Sequence, residues 1–336
     1  MRHRIAAVLA AVLLLAGCSQ ATAPGASASG SPTLPAPTIG LTYIPNVQFS
    51  PFYVAEADGD FSKAGVAPVL RHHGTSEGLF TAILAGQEQF VVAGGDEMLQ
   101  ARAQGADLVA VASYYRSYPV EIIVPADSPI HSLADLRGHS IGVPGKYGES
   151  WFGLQVALHT AGLAESDVKV QEIGYTQQAA LTTHKVDAIV GFSNNDTVQF
   201  GLAGFATRSL PITTGGQPPL VGICLITTAA YAKANPGVVK SVAAGMLAGI
   251  KTAAGDPDHA LQVSTTYVPG LSAKAASQAA RATLTATAKL WTASGGSVDG
   301  KLDAAQWKAM ADFMASEGLT SQRVDPTSAF SNAYVS

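Results

Sequence analysis

The feature that most limits how this chain folds is an alternation of short apolar strands with helical patterns that runs twice through the sequence. The first run predicts strands near 39–44, 66–72, 90–93 and 108–113, with helices near 51–64, 77–85 and 96–104. The second predicts strands at 140–143, 168–172 and 188–192 and helices at 149–161 and 177–184. Strands that alternate with helices argue for mostly parallel sheets covered on both faces. About 300 residues also exceed what one ordinary core holds, so two lobes are expected. Extended segments at 118–125 and 219–227 read as crossings from one lobe to the other and back, and the rest of the chain is helical in pattern, at 236–254, 257–267, 272–291 and 302–316. Two crossings make the first lobe discontinuous, residues 39–118 with 222–336, around a second lobe of residues 119–221. A single linker between consecutive domains would leave the helical tail without a partner.

The N-terminus carries a different message. Arg2 and Arg4 precede an apolar stretch, and small residues lead into Cys18, the layout of a secretory signal over residues 1–17. That stretch is too short to serve as a permanent membrane span. Its end resembles a bacterial lipobox, which implies that Cys18 is lipidated and becomes the mature N-terminus, on the outer face of the cell membrane. Residues 18–38 are rich in Ala, Ser, Gly, Pro and Thr, carry no charge, and read as a disordered tether. Loss of residues 1–17 takes the formal charge from −4 to −6. An acidic chain is no partner for nucleic acid. Cys224 is then the one remaining cysteine apart from the lipidated residue, which excludes an intramolecular disulfide, and its apolar neighbours suggest a buried strand.

From about residue 41 to 270 the chain resembles the NMT1/THI5-like and SsuA/TauA-related periplasmic binding proteins. The resemblance is carried by Tyr43-Ile-Pro-Asn-Val-Gln-Phe-Ser-Pro-Phe-Tyr-Val-Ala-Glu56 with Gly59 and Phe61, by Ala93-Gly-Gly-Asp-Glu97, by Leu133-Ala-Asp-Leu-Arg-Gly138 ahead of Ile141-Gly-Val-Pro-Gly145, and by Val186-Asp-Ala188. The third stretch is frequent across type II binding proteins and marks fold. The first two, with Pro144-Gly-Lys-Tyr-Gly-Glu-Ser-Trp151, look more like the thiamine-pyrimidine and riboflavin binders than the sulfonate binders. The resemblance implies the α/β type II periplasmic-binding-protein fold, with two doubly wound lobes on a two-segment hinge. It also implies a monomeric, non-catalytic receptor that hands a small molecule to an ABC permease and its ATPase. The same superfamily holds a fungal enzyme that makes the thiamine pyrimidine with a cysteine-rich motif, and no such motif occurs here.

In doubly wound sheets ligands sit beyond the carboxyl ends of strands, where loops meet helix N-termini. That rule selects Asn46, Phe49 and Phe52 after the first strand, Asp96 and Glu97 after the third, and Tyr115 and Tyr118 at the first crossing. In the second lobe it selects Tyr147, Glu149, Ser150 and Trp151, and then Asn194 and Asn195. Helix N-termini ordinarily attract anions. Here the helices open with Asp96 and Glu97, with Glu149 and with Asp196, so an anion meets like charge worth about 4 kcal/mol at roughly 4 Å and an effective dielectric of about 20. The same acids are also common first-turn residues with no ligand role. Only 7% of the chain is aromatic, yet many of its rings fall in these loops, which suits a flat heterocycle. The expected ligand is a thiamine-pyrimidine precursor, with riboflavin next and an alkanesulfonate or nitrate third. No cofactor or metal is expected. His72 and His73 are adjacent strand residues that point to opposite faces, Ser150 lacks the spacing of a nucleophile elbow, and the glycines at 215–216 lack the lysine of a phosphate loop.

Overall fold

The computed structural model describes residues 34–74, 77–292 and 296–335, so the signal, Cys18 and most of the tether lie outside the described residues. The first sheet is built from β1 (Thr38–Leu41), β2 (Val69–His72), β3 (Phe90–Gly94) and β4 (Leu108–Ser113), with α1 (Ser50–Ala57), α2 (Asp60–Lys63), α3 (Thr81–Leu84) and α4 (Gly95–Ala103) between them. The second follows with β5 (Val120–Pro125), β6 (Ser140–Val143), α5 (Gly148–Ala161), β7 (Lys169–Glu172), α6 (Gln177–Thr182), β8 (Ala188–Phe192), α7 (Asp196–Leu202) and β9 (Thr207–Pro211). The chain then returns as β10 (Ile223–Thr228), and α8 (Ala229–Ala234), α9 (Pro236–Gly255), α10 (Pro257–Ser264), α11 (Lys274–Trp291) and α12 (Ala304–Ser316) complete it.

Each sheet has five strands, in the orders β2-β1-β3-β10-β4 and β7-β6-β8-β5-β9. In each, the strand that enters straight from a crossing, β10 or β5, lies antiparallel to both neighbours, and the remaining pairs are parallel. The extended segments expected as crossings are therefore mostly sheet, and the chain changes sheets in the short stretches before them. β3 and β4 are buried at every residue, which is the mark of strands covered on both faces. Cys224 lies fully buried in β10.

Other departures have local causes. The helix expected over 51–64 breaks at Gly59, whose φ of 74° ends α1 and starts α2. The edge strand β9 (Thr-Arg-Ser-Leu-Pro) buries Leu210 alone, too little apolar pattern to signal a strand. His72 and His73 do face opposite ways: His72 Nε2 lies 2.9 Å from the Tyr53 hydroxyl, and His73 Nε2 lies 3.0 Å from Glu88, a buried carboxylate that also holds Arg71. The fold supplies that carboxylate; sequence spacing does not. Among the described residues no group of three His, Cys, Asp or Glu is placed to hold a metal.

α9 lies directly on α1 because of a small residue at the contact: a Cβ on Gly249 would collide with the Pro51 carbonyl. Gly249→Ala is expected to cost about 1–3 kcal/mol through overpacking, a fall of several degrees in Tm by calorimetry. Gly237→Ala, on the same helix with open space around it, is expected to hold or slightly raise Tm.

Candidate functional site

β3 runs into α4 with no intervening loop, Gly94 closing the strand and Gly95 opening the helix. The first three N–H groups of α4 are already satisfied. Gly95 donates to the Gly222 carbonyl (3.0 Å) and Asp96 to that of Val221 (3.2 Å), both just ahead of β10. Glu97 N–H donates to Asp96 Oδ1 (2.7 Å). An oxyanion finds no free amides in this turn.

The acids of the turn meet the start of α5, which packs on the second sheet. Asp96 is fully buried and its Oδ2 accepts from the Tyr118 hydroxyl (2.6 Å), which also lies 3.1 Å from the Glu149 carbonyl on α5. Glu97 accepts from Gly94 N–H (3.1 Å), and its Oε1 comes within 2.8 Å of where a Gly148 Cβ would stand, so it lies over the start of α5. Glu149 enters from the other sheet. It is buried, and its Oε1 has no hydrogen-bond partner.

A second buried polar group joins the end of β8 to α11. Asn194, after β8, is fully buried; its Nδ2 donates to Thr287 Oγ1 on α11 (3.0 Å) and stands 3.5 Å from the Tyr115 hydroxyl. Its Oδ1 has no partner. Two buried acceptors thus stand unsatisfied, each worth about 1–3 kcal/mol in lost hydration, and native proteins hold few such groups without a water or ligand to meet them.

Burial sets the charge state. It pushes Glu97 up to about 7, against the opposing pull of the Gly94 and Glu149 backbone N–H groups. Asp96 and Glu149 are driven well above the usual carboxylate range, first by burial and then by the neighbouring acids. Among the described residues no Lys, Arg or His pairs with any of the three; the nearby cations Arg116 and Lys146 pair with Asp299 and Glu165 instead. Asp196 is a different case. Its Oδ2 accepts from Phe192 N–H (2.8 Å) and closes its own turn, and burial raises it to about 6.

The other residues selected from the sequence have the following surroundings. Phe52 is fully buried in the first core against Tyr114 (centroids 5.4 Å apart), because it lies on the face of α1 turned toward the sheet. Phe49 packs edge-on against His72 (5.5 Å). Asn46 caps the turn Val47–Phe49 by accepting from Gln48 N–H (3.0 Å). Trp151 is half-buried with Lys146 Nζ 5.4 Å above its ring, and Tyr147 stands 56% exposed just outside α5. Ser150 is buried in the first turn of α5, and half-buried Asn195 precedes α7. Thr287 has no sequence motif; its one signal is a threonine four residues after Thr283 on the buried face of α11. Tyr175, beyond β7, follows from the same strand-end rule applied one strand further.

Residues 46–260 match the NMT1/THI5 like family. The chain belongs to that family. Its relatives include the riboflavin-binding protein RibY of Chloroflexus aurantiacus, 32% identical over 96% of this chain and 95% of that protein. The formylaminopyrimidine-binding protein of Halalkalibacterium halodurans is 26% identical over 78% of each. The aliphatic sulphonate-binding protein SsuA of Escherichia coli superposes with a TM-score of 0.68 at 18% identity, over 88% of this chain and 92% of that one. That last likeness shows the periplasmic-binding-protein fold in this NMT1/THI5-like chain.

Carboxyl groups whose pKa is raised on folding stabilise the folded state below their unfolded value and stop doing so as pH climbs through the folded one. Tm of the unliganded protein is therefore expected to fall as pH rises from about 4.5 through about 7. Glu149→Gln removes one member of the cluster, and its Tm–pH curve is expected to be flatter over that range by differential scanning calorimetry.

Proposed function

We propose that this protein is the extracytoplasmic, lipid-anchored receptor of an ABC importer and that it captures a flat, hydrogen-bond-donating heteroaromatic compound of the riboflavin or thiamine-pyrimidine class. The observation that carries the ligand class is the pair of buried, partnerless acceptors, Glu149 Oε1 and Asn194 Oδ1. Both lie near Tyr115: the Asn194 amide is 3.5 Å from its hydroxyl, and Glu149 is close enough to help raise the Tyr115 pKa. An exocyclic amine or ring N–H satisfies them. Two named relatives bind compounds of this kind.

A sulfonate or nitrate fits poorly. The α4 amides are spoken for, and three carboxyl groups without a cation face the same gap. In this reading residues 39–118 with 222–336 move as one lobe and 119–221 as the other. Closure on the ligand presents a changed surface to the permease. Binding, not turnover, is the activity, and the protein acts as a monomer. Cys18 holds it at the membrane through lipid, and among the described residues no helix is long and apolar enough to cross one.

A thermal-shift series with riboflavin, an aminopyrimidine, taurine and nitrate tests the ligand class. A true ligand at a hundredfold excess over its Kd adds about 2.7 kcal/mol, and only the heteroaromatic compounds are expected to raise Tm. Glu149→Gln is expected to weaken them about tenfold, because a ligand N–H supplies the missing partner that favours the carboxylate form of Glu149, and glutamine offers only a neutral acceptor. A Tm rise with taurine that Glu149→Gln leaves intact would overturn the assignment. The anchor is tested separately, since Cys18→Ser is expected to abolish incorporation of labelled palmitate and release the protein from the membrane fraction.

A further inference from the structure

An asparagine side chain presents an acceptor at one end and a donor at the other, so what a ligand meets depends on which way the amide is turned. The neighbours of Asn194 decide it. Asn194 follows β8 of the second sheet, and α11, which packs against α7, brings Thr287 to it from the part of the chain that returns to the first sheet. Both side chains are fully buried.

Thr287 has a single hydroxyl proton, and it is engaged inside α11, where Oγ1 donates to the Thr283 carbonyl one turn back (2.7 Å). Toward Asn194 the same oxygen can only accept. Asn194 Nδ2 donates to it at 3.0 Å, which leaves Asn194 Oδ1 as the end without a protein partner. The Tyr115 hydroxyl stands 3.5 Å from Nδ2, too long a contact to set the orientation. Turning the amide over exchanges two hydrogen bonds for one, because the Thr287 proton must then leave the Thr283 carbonyl to meet Oδ1. One net hydrogen bond favours the observed orientation by roughly fivefold.

We propose that Thr287 is a positioning residue of the binding site: by accepting from the Asn194 amide nitrogen it keeps the Asn194 carbonyl oxygen turned to the ligand, so that the site selects a hydrogen-bond donor at that point over an acceptor. This rests on the receptor reading above. Thr287 touches no ligand in this account and acts through Asn194 alone. Because it belongs to the first lobe and Asn194 to the second, the acceptor is oriented as the two lobes come together. A ligand that offers an acceptor at the same point meets either the Asn194 oxygen or an amide turned over at the cost of a bond within α11.

Titration calorimetry of the mature protein with riboflavin and with 4-amino-5-hydroxymethyl-2-methylpyrimidine tests it through a double-mutant cycle. The wild type is expected to bind at least one of the two probes, and Asn194→Ala to weaken that probe about tenfold. Thr287→Val, which keeps the branched shape and removes the hydroxyl, is expected to weaken it about fivefold in the otherwise unchanged chain and not at all in the Asn194→Ala background. Thr287→Ser is expected to restore the affinity, because the hydroxyl remains. An equal loss from Thr287→Val in both backgrounds marks a purely structural threonine and overturns the inference, as does an undiminished affinity in Thr287→Val alone. A loss in Thr287→Ser as large as in Thr287→Val overturns it too, whatever the Asn194→Ala variant does. If Asn194→Ala binds as tightly as the wild type, or the wild type binds neither probe, the receptor reading itself fails and takes the role of Thr287 with it.

Discussion

The turn from β3 into α4 is the constraint on which the rest of the site depends. Its amides are held by the carbonyls of Val221 and Gly222, the last residues before the chain re-enters the first sheet as β10. One short hydrogen-bonded junction thus joins the return crossing, the carboxyl end of β3 inside the sheet and the two acids of the α4 first turn. The junction is crowded at both glycines. A Cβ on Gly94 would meet the Asp96 and Glu97 carboxylates, and one on Gly95 would meet the Val221 side chain. The close approach aims Asp96 and Glu97 across the gap.

Glu149 comes from the opposite sheet, and the resulting cluster has three carboxyl groups and, among the described residues, no cation. Burial without an ion partner disfavours the charged forms. In the proposed reading a ligand N–H donor stabilises their charged forms, which an anionic ligand does not. A site built to accept from a ligand N–H also rejects analogues that lack the donor, because its own acceptors are then left unpaired. The likeness to a sulfonate binder at 18% identity is one of fold alone, and ligand choice belongs to the site and not to the architecture.

Much of this was legible in the chain itself. The strand–helix alternation marked the two sheets, and the strand-end rule led to Asp96, Glu97, Tyr115, Tyr118, Glu149 and Asn194, which the structure gathers between them. The same rule also took in Phe52 and Asn46, whose side chains serve the core and a turn. A local pattern shows that an aromatic or amide lies near a strand end but does not say which way it points. Thr287, distant in sequence and set in a long helix, gave no local sign at all.

What the sequence by itself determined is the set of elements and the chemistry of each loop, since period and composition are properties of neighbouring residues. It also fixed the acidity of the helix starts, because Asp and Glu are written there outright. Which acids face the gap, which one closes its own turn as Asp196 does, and which buried acceptors are left without partners were decided only by the tertiary structure. Those properties depend on what arrives from the other sheet. A carboxyl group's burial, its partners and its pKa are set by groups distant along the chain, which no local pattern contains.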